Sequence, residues 1–196
     1  MAENDLKGKV IGVSFDGTGY GSDGNIWGGE FFLCEKAEAR RIAHLRYVDM
    51  VGGDSSVKDA ARSALSYIHA YDTAVHTNEI EAPCPHTASS DNSISITVEL
   101  SDILDYGRER LLSKPEAALV TAALKAGVNT VKISSMGRLF DAVSALLNIK
   151  DYNDYEGQCA IMLEDAAAFA LKNPKKNKAC DLAFSFHVII IDMLIS

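Results

Sequence analysis

Residues 16–30 concentrate the chemistry-bearing groups of this chain. They read Asp16-Gly17-Thr18-Gly19-Tyr20-Gly21-Ser22-Asp23-Gly24-Asn25-Ile26-Trp27-Gly28-Gly29-Glu30, with six glycines in fifteen positions. Glycine lets backbone N–H groups approach a ligand without a Cβ in the way. Asp16 places a carboxylate where an apolar run over residues 10–15 ends. That combination suits a metal or a phosphate. It suits a plain hairpin equally well, with Asp23-Gly24 as the turn pair, and the segment alone leaves both readings open.

A second group lies at Ser134-Ser135-Met136-Gly137-Arg138-Leu139-Phe140-Asp141. Either serine can cap a helix, Gly137 permits close approach, and Arg138 can reach a phosphate or another domain. Leu139, Phe140, Val143, Leu146 and Leu147 recur at helical spacing and are expected to face a core. A capped amphipathic helix therefore accounts for the apolar residues and leaves Asp141 unexplained. No Ser-His-Asp or Cys-His arrangement stands out. His44 falls in a predicted strand and His187 in an apolar helix, where a core histidine with a hydrogen-bond partner is expected. His69, His76 and His86 are expected at the surface.

The elements that must hold these groups begin with two strands, residues 9–15 and 26–35, joined by the glycine loop. Residues 40–48 read as a third strand. Gly52-Gly53-Asp54 is a turn, after which Asp54 or Ser55 caps a helix reaching residue 71. Residues 73–92 form a polar excursion, and 94–100 a short strand. Helices are predicted over 101–112 and from Pro115 to Gly127. An extended link, 130–134, leads into the helix capped by Ser134 or Ser135 and ending near Leu147. A loop at 151–156 precedes a helix over 157–171, and residues 172–178, with four lysines and one proline, form a solvated turn before the last helix. Strands first and helices later suit one lobe of a two-lobed α/β fold.

Asp16 to Glu30 closely resembles the DGTGYG…WGGE stretch of the HypF family, carbamoyltransferases that mature nickel–iron hydrogenases. The resemblance recurs in order at His44-Leu45-Arg46-Tyr47 with Gly52-Gly53-Asp54, at Ser134 to Val143, at Tyr155-Glu156-Gly157-Gln158 and at Phe186-His187. Five ordered blocks are far more specific than one glycine motif. The resemblance implies a partial actin-like, ribonuclease-H-like ATPase fold. It implies that residues 1–196 are part of a carbamoyl-transfer (threonylcarbamoyl-transferase-like) domain cut at both ends. The family's His-x-x-x-His pair, which precedes this loop, and its later Gly-Gly segment and Asp are not in the chain.

Further expectations follow from the resemblance alone. Asp16 would be one ligand of an iron or zinc ion, incomplete without the two histidines. Gly17, Thr18 and Gly19 would line the phosphate of an ATP-derived carbamoyl adenylate. Gly28, Gly29 and Glu30 would shape the same wall, unless the two glycines only relieve crowding in a twisted strand. Gly137 allows close approach there. Asp141 would accept hydrogen bonds from both ribose hydroxyls. Glu156 and Gly157 match the turn under the nucleoside. The family passes the carbamoyl group to the C-terminal cysteine of a HypE partner, whose thiolate is the nucleophile. The isolated chain is expected to be inactive. The alternatives are a non-catalytic nucleotide-binding or docking module, or a related transferase with another acceptor.

Composition narrows the rest. A hydrophobic content of 47% and a charged fraction of 23% are ordinary for a globular protein. The net charge of −8 argues against a surface that neutralises nucleic-acid phosphates. Cys34, Cys84, Cys159 and Cys180 show neither zinc-ribbon nor disulfide spacing and are expected as reduced, mostly buried thiols. The N-terminus has no signal-peptide pattern. The run 184–195 is too short to span a bilayer and contains His187 and Asp192, so it is expected as a helix packed against neighbours outside the chain. The expected compartment is the cytoplasm.

Overall fold

The computed structural model describes residues 8–77 and 100–195. The chain opens with a long antiparallel hairpin, β1 (Lys9–Tyr20) and β2 (Ile26–Glu35), followed by β3 (Glu38–His44) and β4 (Val48–Val51). Two consecutive helices, α1 (Asp54–Lys58) and α2 (Ala60–His76), come next. Beyond residue 99 lie α3 (Leu100–Leu112), α4 (Ala117–Ala126), β5 (Thr130–Ile133), α5 (Met136–Leu146), α6 (Gln158–Lys172) and α7 (Lys178–Ile195). The five strands form one sheet in the order β1-β2-β5-β4, with β3 also on β2.

β2 is shared between two neighbours on the side away from β1. Its first residue, Ile26, pairs with Ile133 of β5 in parallel, and Glu30 to Glu35 pair antiparallel with β3. The ladder therefore changes partner at Gly28 and Gly29. Alternation places Val48, Met50 and Ile133 in a small core beneath the sheet, with Asp49 exposed between the first two. The larger core lies among the helices. Ala60, Ala61 and Ala64 of α2 face Ala142 and Ala145 of α5, and small side chains let two helix axes approach closely. Phe186 of α7 and Leu163 of α6 close the far side, both fully buried.

Several predicted boundaries hold for the physical reasons given. Gly127 ends α4 in the left-handed conformation, φ 64°. Ser135 caps α5 with its side chain accepting from the Arg138 N–H. The link at 130–134 is a true strand. The differences are informative. The glycine segment is not a loop after residue 15: β1 continues through it to Tyr20. Residues 40–48 are not one strand, because the chain leaves β3 after His44 and re-enters the sheet as β4 on β5. The helix after the turn breaks at Asp59, whose carboxylate accepts from the Arg62 N–H and caps α2 anew. The polar excursion starts later than expected, since α2 runs to His76; residues 78–92 and the strand expected over 94–99 lie outside the described residues.

Other expectations shift as well. His44 is exposed, its Nδ1 against the Leu45 carbonyl at 2.7 Å and its ring 4.5 Å from that of Tyr47. Edge-strand β3 leaves it no core to enter. His187 is half-buried, with Nδ1 2.7 Å from the Ala183 carbonyl one turn back, and His69 is half-buried while His76 is exposed. Cys159 is buried and Cys34 and Cys180 are half-buried free thiols; Cys84 and His86 lie outside the described residues. The first half of α7 is buried through Leu182, Ala183, Ser185 and Phe186, whereas Ile191 and Ile195 are exposed. Among the described residues no helix is long and apolar enough to cross a membrane.

Candidate functional site

The site is built where a bulge in β1 meets the N-terminus of α5. Phe15 pairs with Gly29 and Gly19 pairs with Trp27, so Asp16, Gly17 and Thr18 together oppose Gly28 alone. Two extra residues push the strand out of the ladder. Ser135 catches them: its hydroxyl lies 2.6 Å from the Gly17 carbonyl and 3.1 Å from that of Asp16, as a donor to either, while it accepts from the Arg138 N–H at 3.1 Å.

Glycine is required on both sides of this seam. A Cβ on Gly137 would stand 2.7 Å from Gly17 Cα, and one on Gly28 would collide with the Asp16 carbonyl. A Cβ on Gly29 would strike the Ser134 carbonyl. Of the two readings left open for Gly28 and Gly29, relief of crowding is the one the geometry supports, since a Cβ at either position would strike neighbouring backbone.

Beneath the seam lies the carboxylate that motif reading assigned to the ligand wall; it is buried and taken up by the chain's own donors. Glu30 is 2% exposed. Its Oε2 accepts from the Gly28 N–H at 2.6 Å and the Gly29 N–H at 2.8 Å, and its Oε1 accepts from the Ser134 hydroxyl. It ties β2 to the residue before the α5 cap. Glu30→Gln, which turns an amide NH2 toward one of these donors, is expected to lower stability by about 1–2 kcal/mol in urea denaturation. An unchanged midpoint would remove Glu30 from this role.

Arg138 and Asp141 occupy the next turn of α5. Arg138 is 6% exposed and Asp141 1%. Arg138 Nη1 is 2.7 Å from Asp141 Oδ2 and donates to the Val57 carbonyl at 2.6 Å. Its Nη2 points along the seam, 3.4 Å from where a Cβ of Gly17 would be. Burial pushes the Asp141 carboxyl above its usual range, against the opposing pull of Arg138 and Asn153. The acid that a capped helix could not explain is the counter-ion of a buried arginine.

Asn153 is the site residue that sequence reasoning missed. It is 4% exposed. Its Nδ2 donates to Asp141 Oδ1 at 3.1 Å and Val57 O at 3.3 Å, and its Oδ1 accepts from the Cys159 N–H at 2.7 Å. One amide thus joins the α1–α2 junction, α5 and the start of α6. The loop that carries it is clamped by Asp151, which accepts a two-pronged contact from Arg110 at 2.8 and 3.0 Å and a bond from Lys114 at 2.6 Å. Burial pushes the Asp151 carboxyl up, but these donors outweigh it and hold it below the usual range.

The predicted residues are thus unequally placed. Asp16, Gly17 and Gly137 meet at the seam, and Asp141 sits behind it. Thr18 and Gly19 continue along β1, Thr18 exposed and Gly19 against Trp27. Glu156 is exposed and Gly157, with φ 76°, caps α6; two residues on, the Cys159 N–H reaches Asp141 through the Asn153 side chain. Asp16 is an exposed carboxylate whose Oδ1 accepts from the Gly17 N–H at 2.6 Å. Among the described residues no group of three or more His, Cys, Asp or Glu side chains could hold a metal. These residues alone do not fit iron or zinc. Cys159 offers no nucleophile either: burial pushes its thiol up to about 12.

A third cluster fixes the tip of the hairpin. The Asp23 carboxylate accepts from Tyr47 Oη at 2.6 Å, Arg41 Nη2 at 2.7 Å and Trp27 Nε1 at 2.9 Å. The Tyr47 hydroxyl foremost, with the Asn25 N–H, Arg41 and Trp27, holds the Asp23 carboxyl well below the usual range. The Arg41 guanidinium lies 3.9 Å over the Trp27 ring.

Comparison with known proteins gives one consistent result. The family described as carbamoyltransferase, Kae1-like domain, second subdomain, matches residues 12–195. The chain is 30% identical over 185 residues to the carbamoyltransferase HypF2 of Cupriavidus necator, covering 94% of this chain and 19% of that protein. It is 31% identical over 166 residues to the carbamoyltransferase HypF of Synechocystis sp., covering 84% of this chain and 20% of that one. It spans about a fifth of the length of these curated relatives. Among solved structures it resembles HypF of T. kodakarensis, with TM-score 0.64, 28% identity, and 95% of this chain and 25% of that chain covered. It also resembles a full-length HypF in the phosphate- and nucleotide-bound form, with TM-score 0.61, 32% identity, and 85% and 18% covered.

Proposed function

Because this chain belongs to the HypF carbamoyltransferase family, we propose that it supplies the nucleotide-facing wall of a carbamoyl-transfer domain. The observation that carries this reading is the seam itself. The Asp16–Thr18 bulge, Gly137, Arg138 and Asp141 come from two segments 118 positions apart, as counted between Gly17 and Ser135, and share one edge. A related HypF, solved in a phosphate- and nucleotide-bound form, supports the same ligand class.

In this reading the ligand is a carbamoyl adenylate. Backbone of Gly17, Thr18 and Gly19 faces its phosphate, and Asp141 takes ribose hydroxyls on Oδ2, which makes no aligned hydrogen bond here. Because Asp141 is 1% exposed, the ligand has to open the packing around Arg138 to reach it. Glu156 and Gly157 form the turn under the nucleoside. The carbamoyl group passes to the C-terminal cysteine of a HypE-like protein in hydrogenase maturation, and the chain's own part is positioning and charge stabilisation. A metal at this domain, iron or zinc, would take Asp16 as one ligand and the others from outside the described residues. A cytoplasmic setting fits such a role.

One observation favours a second reading. The described residues hold no metal cluster and burial pushes the Cys159 thiol up, so the chain by itself suits a non-catalytic nucleotide-binding module. Calorimetric titration with adenosine, beside a carbamoyl-transfer assay on a HypE-type C-terminal peptide, tests both. Adenosine binding that weakens about tenfold or more in Asp141→Asn is expected, since one strong acceptor becomes a mixed amide. Binding indifferent to that change removes Asp141 from the ribose. No turnover is expected from the chain alone, and measurable transfer would overturn that.

A further inference from the structure

Arg138 is a buried cation used on one side only. Nη1 serves Asp141 Oδ2 and the Val57 carbonyl. Nε is buried without a hydrogen-bond partner. Nη2 makes no hydrogen bond among the described residues and lies beside Gly17, with no side chain between it and the bulge. The Nε/Nη2 edge of a guanidinium is a flat two-pronged donor that matches two oxygens of a phosphate or carboxylate. Leaving a buried donor such as Nε unpaired costs free energy that a folded chain normally recovers through a partner.

We propose that Arg138 is the anion-binding residue of this seam, its Nε/Nη2 edge taking non-bridging oxygens of a phosphate group that lies over Gly17. Two features prepare it. The Val57 carbonyl holds Nη1 independently of Asp141, which limits the side-chain freedom lost on binding. Gly17 lacks the Cβ that would fill the space next to Nη2; such an atom would sit 3.4 Å away, in ordinary contact with the arginine and with nothing else. Packing therefore does not require glycine at this point, and its absent Cβ leaves room beside Nη2. This deepens the nucleotide reading above and rests on it for the class of ligand. The phosphate can belong to a nucleotide or be free.

The test is calorimetric titration of the 196-residue chain with adenosine, AMP and inorganic phosphate, repeated on Arg138→Gln and Gly17→Ala. AMP is expected to bind at least tenfold tighter than adenosine, the scale of one charge-assisted bond. That advantage is expected to fall below about twofold in both variants. Gly17→Ala keeps the buried ion pair, so it decides the matter if Arg138→Gln fails to fold by circular dichroism. An AMP advantage that survives Gly17→Ala overturns the proposal, as does equal binding of AMP and adenosine. In that last case adenosine binding still upholds the nucleotide reading. Phosphate binding that needs Arg138 and Gly17, without adenosine binding, upholds the anion site and overturns the nucleotide reading. Binding of none of the three overturns both.

Discussion

Asp141→Ala is expected to lower the stability of this protein by about 3–5 kcal/mol, through an arginine left buried without its counter-ion. Arg138 is 6% exposed, so water cannot take over from the lost carboxylate. Asn153 Nδ2 loses its Asp141 acceptor and is left with the longer bond to Val57 O at 3.3 Å. The loop it anchors is loosened at the same time. Urea denaturation reads the shift directly. The instructive control is the double replacement Arg138→Met with Asp141→Leu. Removing both charges leaves no unpaired ion in the interior, so the double variant is expected to be more stable than Asp141→Ala alone. A single variant within 1 kcal/mol of the parent, about the net worth of an ordinary hydrogen bond, would mean that the pair is hydrated rather than buried.

The second large effect concerns Gly107, far from the seam. Its buried Cα lies where α3 crosses the last turn of α5. A Cβ there would stand 2.6 Å from both Leu146 Cα and C, and closer still to the Leu146 carbonyl oxygen. These are backbone atoms of a helix end and cannot rotate away. Within an isolated helix, Gly→Ala gains about 1 kcal/mol from propensity. Here the overlap has to be relieved by separating two helices, and overpacking of that kind costs about 3 kcal/mol or more. Gly107→Ala is therefore expected to destabilise despite the better helix former. A neutral or stabilising result in the same urea experiment would show that α3 and α5 cross less closely than described.

How far the sequence alone discloses this arrangement depends on how local each cause is. Ser135 is readable as a cap because its partner, the Arg138 N–H, is three residues away. Gly127 is readable as a helix stop for the same reason. Asp59 is less visible because a capping aspartate inside a helical run competes with the simpler reading of one continuous helix. β1 passes through the glycine segment against local signals: glycine is weak in strands, and only pairing with Trp27 and Ile26 keeps Gly19 and Tyr20 in the ladder. The split of residues 40–48 depends on β5, which lies more than 80 residues later in the chain.

The same rule orders the site. Asp16, Gly17, Gly137 and Asp141 stand out because their types are unusual for their positions. Asn153 does not, since asparagine in a polar loop before a helix has many ordinary uses. Its engagement with Asp141, Val57 and Cys159 exists only after three elements converge. Glu30 sits inside a readable motif, yet the hydroxyl it holds is 104 residues away.

The single parallel contact of β2, Ile26 with Ile133, has a kinetic meaning. The β1–β2 hairpin closes on neighbours in sequence, an event of microseconds. Ser135 and Gly17, 118 positions apart, meet only when the intervening strands and helices have already taken their places, since the closure entropy of so long a segment has to be met first. The seam is thus expected to assemble after the hairpin. A refolding experiment that follows Trp27 at the hairpin tip should report structure before any ligand of the seam can bind.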